Sequence, residues 1–254
     1  MTTEFDYPVL LFLLAVLVQW SSARIGFSVL RRKSPPDENA SQDFGVIVGA
    51  TLGLAGLIIG FSFSMAAGRY EQRKNLEEAE ANAIGTEYVR ADLVPAADAA
   101  RIRALLSAYV DQRVLFYTTR DRRELQQVNE RTARLQGELW NAVKSPAPAQ
   151  QNAVGALVVA GMNDVLNSQG YTQAAWWNRL PPAAWMLMFV IAISCNVLIG
   201  YGLRSTTKNR WMLLVLPLVL SLAFLLIADI DTPRAGFIHV VPQNLLSLRA
   251  TMVP

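Results

Sequence analysis

The sequence predicts an all-α membrane protein with four transmembrane helices and an extramembrane helical bundle inserted between the second and third of them. Three observations lead to this prediction. Of the 254 residues, 52% are hydrophobic and only 17% are charged, which is unusual for a soluble domain. Four apolar runs are long enough to cross a bilayer. Between the second and third runs the chain is charged, and its apolar residues recur at helical spacing without a competing strand pattern.

The first two spans are expected within residues 1–68. The first, at about 8–30, contains Arg24 near its end, where the guanidinium can reach the headgroups. A cleavable signal peptide is the alternative, but the preceding segment has two acids and lacks the basic residues that such a peptide needs. The second span, at about 44–68, carries no formal charge and meets no helix breaker before Pro95, so one long helix is expected to leave the membrane.

Residues 69–180 are expected to form the extramembrane helical bundle. One of its helices carries a seam of apolar and small residues at alternating three- and four-residue spacing. The seam either joins two copies of the chain or packs within its own bundle, and we favour packing within the bundle. Its members are Leu125, Val128, Thr132, Leu135, Leu139 and Val143.

The last two spans are expected within residues 181–230. The third, at about 183–203, follows two prolines that suit a helix start, because their missing N–H groups would have no partner there. The fourth lies at about 211–228. Residues 231–254 are predicted to form a C-terminal tail.

The composition excludes several classes of function. One cysteine and one histidine are too few for a disulfide framework, a tetrahedral zinc site or a cysteine–histidine nucleophile. The net charge of +3 is small and interspersed with acids, so no nucleic-acid partner is expected. A membrane enzyme would need converging polar groups, and few are present. We therefore expect no enzyme, no cofactor and no metal centre. The few polar candidates are Gln19, Asn196, Asp229, Asp231 and His239.

Small residues recur every three or four positions along the second span. They form one stripe, which suits either tight helix packing or a pore wall. Leu57 and Phe61 border the stripe, and in a symmetric oligomer they would form apolar rings that close a pore by dewetting. The stripe consists of Gly45, Gly49, Gly53, Gly56, Gly60, Ser64 and Gly68.

A charged segment follows where this helix leaves the membrane. Charges three residues apart on a helix, such as Glu87 and Arg90, ordinarily pair with each other. We expect a polar face, solvated or between helices, and the alternative is a cation vestibule or metal site. The segment carries Glu77, Glu78, Glu80, Glu87, Arg90 and Asp92.

Separate motifs resemble one known family. Gly60-Phe61, followed by Arg69-Tyr70, is similar to the second membrane helix of the bestrophins. The segment after the last span resembles the acidic, Pro- and Gly-containing segment of bacterial bestrophins. With the segment from Glu78 to Thr86, these motifs identify the chain as a member of a bacterial family of bestrophin-like membrane proteins, distantly similar to the bestrophin anion channels. The motif residues include Asn82, Asp229, Asp231, Pro233, Arg234, Gly236, Asn244, Leu245 and Leu248.

The resemblance implies a pentameric anion channel with a hydrophobic neck on the second helix. It carries the neck role to Phe61 and, by four-residue steps, to Leu57 and Gly53. Gly53 departs from the expected bulky apolar residue, so either the neck here would be shorter or the pore would be formed in another way. Asp229 and Asp231 lie near the divalent-cation region of animal bestrophins, but two carboxylates are too few for a calcium cage of about six to eight oxygens. Capping and membrane-edge charge are the expected roles.

The leading hypothesis is a homo-oligomeric ion channel that conducts anions and whose pore is lined by the second span. Its partners would be the lipid bilayer, other copies of itself and small inorganic ions, in a bacterial inner membrane. The alternative is a non-conducting scaffold or sensor whose helical domain recruits a partner. Basic residues near the spans are divided almost evenly between the two sides. Their density in the short loops places the helical domain outside, whereas the bestrophin resemblance places it inside.

Overall fold

The computed structural model describes residues 8–30, 41–144, 153–203, 211–234 and 236–252. Its described residues are mostly helical and contain no strand, which confirms the predicted fold class. A π-helical turn, Gly26–Leu30, extends α1, and a 3-10 turn, Ala91–Leu93, follows α2. The α-helices are α1 Pro8–Ile25, α2 Ser41–Arg90, α3 Ala96–Thr118, α4 Arg122–Lys144, α5 Ala153–Trp177, α6 Pro182–Gly202, α7 Met212–Asp231 and α8 Gln243–Thr251.

Four helical stretches in the described part of the chain are long and apolar enough to cross a membrane. The protein is therefore a membrane protein, as its composition predicts. The stretches are Val9–Leu30, Asp43–Leu93, Ala153–Gly202 and Met212–Asp231.

The chain divides into two compact units. The membrane unit comprises Met1–Gly68 and Arg179–His239, and the helical unit comprises Arg69–Asn178 and Val240–Pro254. Sequence analysis described residues 231–254 only as a tail. The structure places a helix there, α8, and groups it with the helical unit.

Within the membrane unit, α1 packs closely against α6 and α7. Two glycines allow the approach of α1 to α6. A Cβ atom on Gly200 would overlap the carbonyl oxygen of Ala23, and a Cβ on Gly26 would overlap that of Val197. Because both obstacles are backbone atoms, no side-chain rotation could relieve the overlap. The two helices therefore need glycine at these positions.

Replacing Gly200 by alanine is expected to destabilise the protein by about 1–3 kcal/mol, because overpacking against backbone forces the helices apart. Thermal unfolding of the purified protein measures this loss. Gly137→Ala in α4 is the control, since a Cβ there meets nothing within 4 Å. Alanine favours the helix by roughly 1 kcal/mol at such a site, so the control is expected to be neutral or stabilising. Equal loss in both variants would contradict the close approach of α1 and α6.

A buried hydrogen-bond network also joins these three helices. Gln19 of α1 donates through Nε2 to Ser221 Oγ of α7 at 3.0 Å, and Asn196 of α6 donates through Nδ2 to Gln19 Oε1 at 3.1 Å. All three side chains are fully buried. Lipid tails are as apolar as the helices, so the hydrophobic effect does not drive membrane helices together. Inter-helix hydrogen bonds of this kind help to hold them instead. Gln19 and Asn196 therefore have a structural role.

The helical unit has its own apolar core, formed mainly by α3, α4 and α5. The core includes Ile102, Leu106 and Phe116 of α3. At the start of α4, Asp121 Oδ1 accepts the backbone N–H groups of Arg123 and Glu124, which would otherwise lack helical partners.

The seam of α4 packs within this bundle, as favoured from the sequence. Val128, Thr132, Leu135, Leu139 and Val143 are buried, and Leu125 is partly buried against the same core. The apolar surface that would have joined two copies of the chain is therefore already covered.

Candidate functional site

The membrane part of α2 has two different faces. Ala55, Ser62 and Ala66 are buried on one face. Five residues of the stripe and the neck each lie two positions along the sequence from one of these buried residues. Two positions correspond to roughly 200° around a helix. The predicted stripe therefore faces away from the rest of the membrane unit. The five residues are Gly53, Leu57, Gly60, Ser64 and Gly68, and all of them are exposed.

The glycines of this stripe do not serve packing within the chain. A Cβ atom added at Gly53, Gly56 or Gly60 would meet nothing within 4 Å. This contrasts with Gly26 and Gly200, where helices touch. The surroundings of one chain therefore leave open space along the stripe, which is available to lipid, to another subunit or to a pore.

The two predicted neck side chains are exposed on α2. Phe61 is 60% exposed and Leu57 is 53% exposed. Leu57 lies within the stripe, whereas Phe61 adjoins buried Ser62 and so lies at its edge. Gly53 contributes no side chain one turn further on. The neck role of these residues remains a prediction.

Three motif residues of α2 named from the sequence, Arg69, Tyr70 and Asn82, lie in the helical unit and in different surroundings. Arg69 is half-buried, and Tyr70 packs against the apolar core. Asn82 is exposed. These three residues therefore do not converge on one site.

A buried ion pair in the helical unit was not found by sequence analysis. Arg113 of α3 donates through Nε to Glu80 Oε1 of α2, and its Nη2 lies 3.3 Å from Glu80 Oε2. Both side chains are fully buried. Burial alone would lower the pKa of Arg113, but the Glu80 carboxylate, together with Tyr109 and Tyr117, more than offsets this, so the pKa is raised. Arg113 therefore stays charged.

Further groups complete this cluster. Tyr117 and Thr172 donate hydroxyl hydrogen bonds to Glu80 Oε2, at 3.4 Å and 3.2 Å. The Arg113 guanidinium carbon lies 4.4 Å from the centre of the Phe116 ring, within cation–π range. The Glu80 carboxylate of α2 thus receives hydrogen bonds from side chains of both α3 and α5, so the cluster ties α2 to both helices.

Glu77 ties the C-terminal helix to α2. Its carboxylate accepts the backbone N–H of Leu245 at 2.9 Å and the side-chain amide of Asn244 at 2.6 Å. An acidic group at a helix N-terminus is favoured, because free N–H groups and the helix dipole point at it. Leu248 of α8 lies over Gly85 of α2. Asn244, Leu245 and Leu248, noted from the sequence as a motif, are thus held against α2.

Glu87 and Arg90 form the predicted pair three residues apart. Arg90 Nη1 lies 4.0 Å from Glu87 Oε2. The Glu87 side chain is nevertheless fully buried, while Arg90 is 31% exposed. The sequence predicted a polar face that is either solvated or between helices, and at Glu87 it lies between helices.

Asp229 and Asp231 brace backbone segments at the end of α7. Asp229 accepts the N–H groups of Phe237 and Ile238 at 2.7 and 2.8 Å, and a side chain at Gly236 would collide with it. Asp231 accepts the N–H of Leu180 with both oxygens at 3.0 Å. Both carboxylates are buried, and Arg234 is half-buried. This geometry favours the capping role, which remains a proposal.

No group of three or more His, Cys, Asp or Glu side chains in the described ranges could hold a metal ion.

The buried charges of the helical unit escaped sequence analysis because apolar periodicity does not detect them. Spacing gave a signal, however, since Arg73, Glu77, Glu80, Ile84 and Glu87 recur at alternating steps of four and three. All five are buried on one face of α2.

Comparisons with known proteins identify the fold. Residues 9–245 match the family model described as a Bestrophin-like domain. A bacterial bestrophin homologue from Klebsiella pneumoniae is 16% identical, with a TM-score of 0.61 over 95% of this chain and 98% of that chain. A variant described as a membrane protein is also 16% identical, with a TM-score of 0.63 over 94% and 99%. A comparison with curated protein sequences gave no match.

Proposed function

The chain belongs to the bestrophin-like family, and on that premise we propose that it is a homo-oligomeric ion channel whose pore is lined by α2. The proposal places it in a bacterial inner membrane, as a pentamer by resemblance. One observation carries it. The face of α2 that bears Gly53, Leu57, Gly60 and Ser64 points away from the buried face of the same helix.

This observation supports a pore for a physical reason. A helix packed on one side by its own chain leaves the other side for copies of itself, and small residues allow those copies to leave an open path. At a glycine that serves packing within the chain, an added side chain would collide with neighbouring atoms, as it would at Gly200. At the glycines of the stripe on α2 it would not.

The permeant ion follows from family resemblance, which implies small inorganic anions. Glu71 and Glu78, exposed on the charged part of α2, would instead favour cations.

The purified protein in a planar bilayer should give discrete currents, and the reversal potential in a KCl gradient gives the sign of the ion. Absence of current in a correctly assembled protein would overturn the channel proposal.

Assembly provides an independent prediction. Replacing Gly60 by leucine should break or weaken the oligomer, because helices without a hydrophobic driving force in lipid associate by close packing at small residues. Native mass spectrometry of the purified protein measures the subunit number. Gly137→Leu, in open space on α4, should leave it unchanged. A monomer in the unaltered protein would contradict the pore.

The scaffold or sensor alternative depended on the seam of α4 as a free recruiting surface. Val128, Leu135, Leu139 and Val143 are covered by the helical unit itself. A second candidate function is therefore not supported by the described residues.

A further inference from the structure

On the buried face of α2 that carries Arg73, Glu77, Glu80, Ile84 and Glu87, Glu87 is the one carboxylate for which the described residues supply no hydrogen-bond donor. Its side chain is fully buried, and neither Oε1 nor Oε2 accepts a hydrogen bond. Glu77 and Glu80, on the same face, each accept at least two. A buried ionised carboxylate without donors is costly, whereas a protonated one is much less so.

The charged groups near Glu87 do not compensate for this burial. Arg90, on the same helix, lies 4.0 Å away and is partly in solvent. From α5, Asp164 disfavours a second negative charge. Asp92, in the 3-10 turn after α2, pairs with Arg103 of α3. Burial raises the pKa of the Glu87 carboxyl to about 8, with Arg90 lowering it and Asp164 raising it.

The Glu87 carboxyl stands directly against the backbone of α5. A Cβ atom at Gly161 would overlap both Glu87 Oε2 and Arg90 Nη1. Gly161 is buried, and its neighbours Val158, Met162 and Val165 belong to the apolar core. The carboxyl cannot gain hydration while α5 remains this close. Its charge state and the contact between α2 and α5 are therefore coupled.

We propose that Glu87 is a proton-binding site that controls the packing of the end of α2 against α5. With the proton bound, the neutral carboxyl stays against Gly161. When the proton is released to solvent, the carboxylate leaves this contact for water and the exposed part of Arg90, and the contact loosens. The inference concerns the helical unit and does not depend on conduction.

The direction of the pH effect follows from linkage. The folded protein holds the Glu87 proton through a pH range in which the unfolded chain has lost it, from the ordinary carboxyl value of 4.5 to about 8. Stability from this group is thus fully present below the lower value and declines as pH rises, until it levels off above the higher value.

Glu87→Gln tests the proposal, because glutamine resembles the neutral carboxyl and cannot ionise. The full-length protein in detergent is unfolded thermally at a series of pH values. We expect the unaltered protein and the variant to coincide at low pH, and the variant to become progressively more stable as pH rises. Glu78→Gln, an exposed site on the same helix, should follow the unaltered protein throughout.

Hydrogen exchange locates the effect. Once corrected for the intrinsic dependence on pH, exchange in α2 and α5 around Glu87 and Gly161 should rise by about tenfold or more between about pH 6 and pH 9, and only in the unaltered protein. Parallel stability profiles would overturn the proposal. So would a change confined to other helices, or failure of Glu87→Gln to fold, since the neutral form is the packed one.

Discussion

Replacing Phe61 by alanine is expected to raise the current through the channel at least several-fold. In a symmetric assembly the Phe61 rings would meet around the axis and form an apolar constriction that water leaves easily. Removal of the ring widens and wets that constriction. Single-channel recording in a planar bilayer measures the result.

Leu57→Ala should act in the same direction but less strongly. Leu57 lies one turn earlier on α2 and its side chain is smaller than a phenyl ring. Gly53, a further turn away, offers no side chain to remove. The neck would therefore consist of two rings, of which Phe61 is the larger obstacle.

The rival interpretation makes Phe61 a packing residue. Because its side chain is 60% exposed in one chain, truncation leaves no intrachain cavity. A loss of about 3–5 kcal/mol would then require burial of Phe61 by a neighbouring subunit. Thermal stability measured beside the current separates the two interpretations. A destabilised protein with unchanged or absent current would defeat the gate assignment.

Two controls sharpen this test. Phe44→Ala changes the same residue type on the same helix, at a ring that packs edge-on against Tyr201 of α6 within the chain, and should not open the pore. Phe116→Ala removes a fully buried ring from the core of the helical unit. It should lower stability by about 3–5 kcal/mol without a specific effect on permeation.

Sequence reasoning reached the fold because membrane spans are determined by long apolar runs, which are visible without tertiary information. It also placed the seam of α4 correctly, since an apolar period reports a buried face. It could not find the partners of Glu80, because Arg113 is distant in sequence and looks like any surface arginine. Its position within the apolar face of α3, four residues after Tyr109 and three before Phe116, was the available signal.

The glycines illustrate a second limit. Gly26, Gly60 and Gly200 are indistinguishable as letters, and a small-residue period fits either tight packing or a pore wall. Only the surroundings distinguish them, since Gly26 and Gly200 face backbone atoms while Gly60 faces open space. The meaning of the stripe on α2 therefore depends on copies of the chain, which one sequence does not specify.

Breaking the Glu80–Arg113 pair is expected to have a large effect on stability. Arg113→Met leaves the Glu80 carboxylate buried without its counter-charge, with Tyr117 and Thr172 as its donors among the described residues. Loss of one partner of a buried pair costs about 3–5 kcal/mol. Chemical denaturation of the purified protein, followed through a tryptophan signal such as that of Trp176 beside Phe116, measures the loss.

The double variant Glu80→Leu with Arg113→Met distinguishes a buried ion pair from simple packing. Because replacing both charges by apolar side chains removes the desolvation cost as well as the attraction, the double variant should lose much less stability than the sum of the single variants. Arg103→Met is the matched control, since the Arg103–Asp92 pair on the same bundle is 32% and 65% exposed. Its loss should not exceed about 1 kcal/mol. Additive losses in the double variant, or equal losses in Arg103→Met and Arg113→Met, would show that the buried pair does not hold α2 to α3.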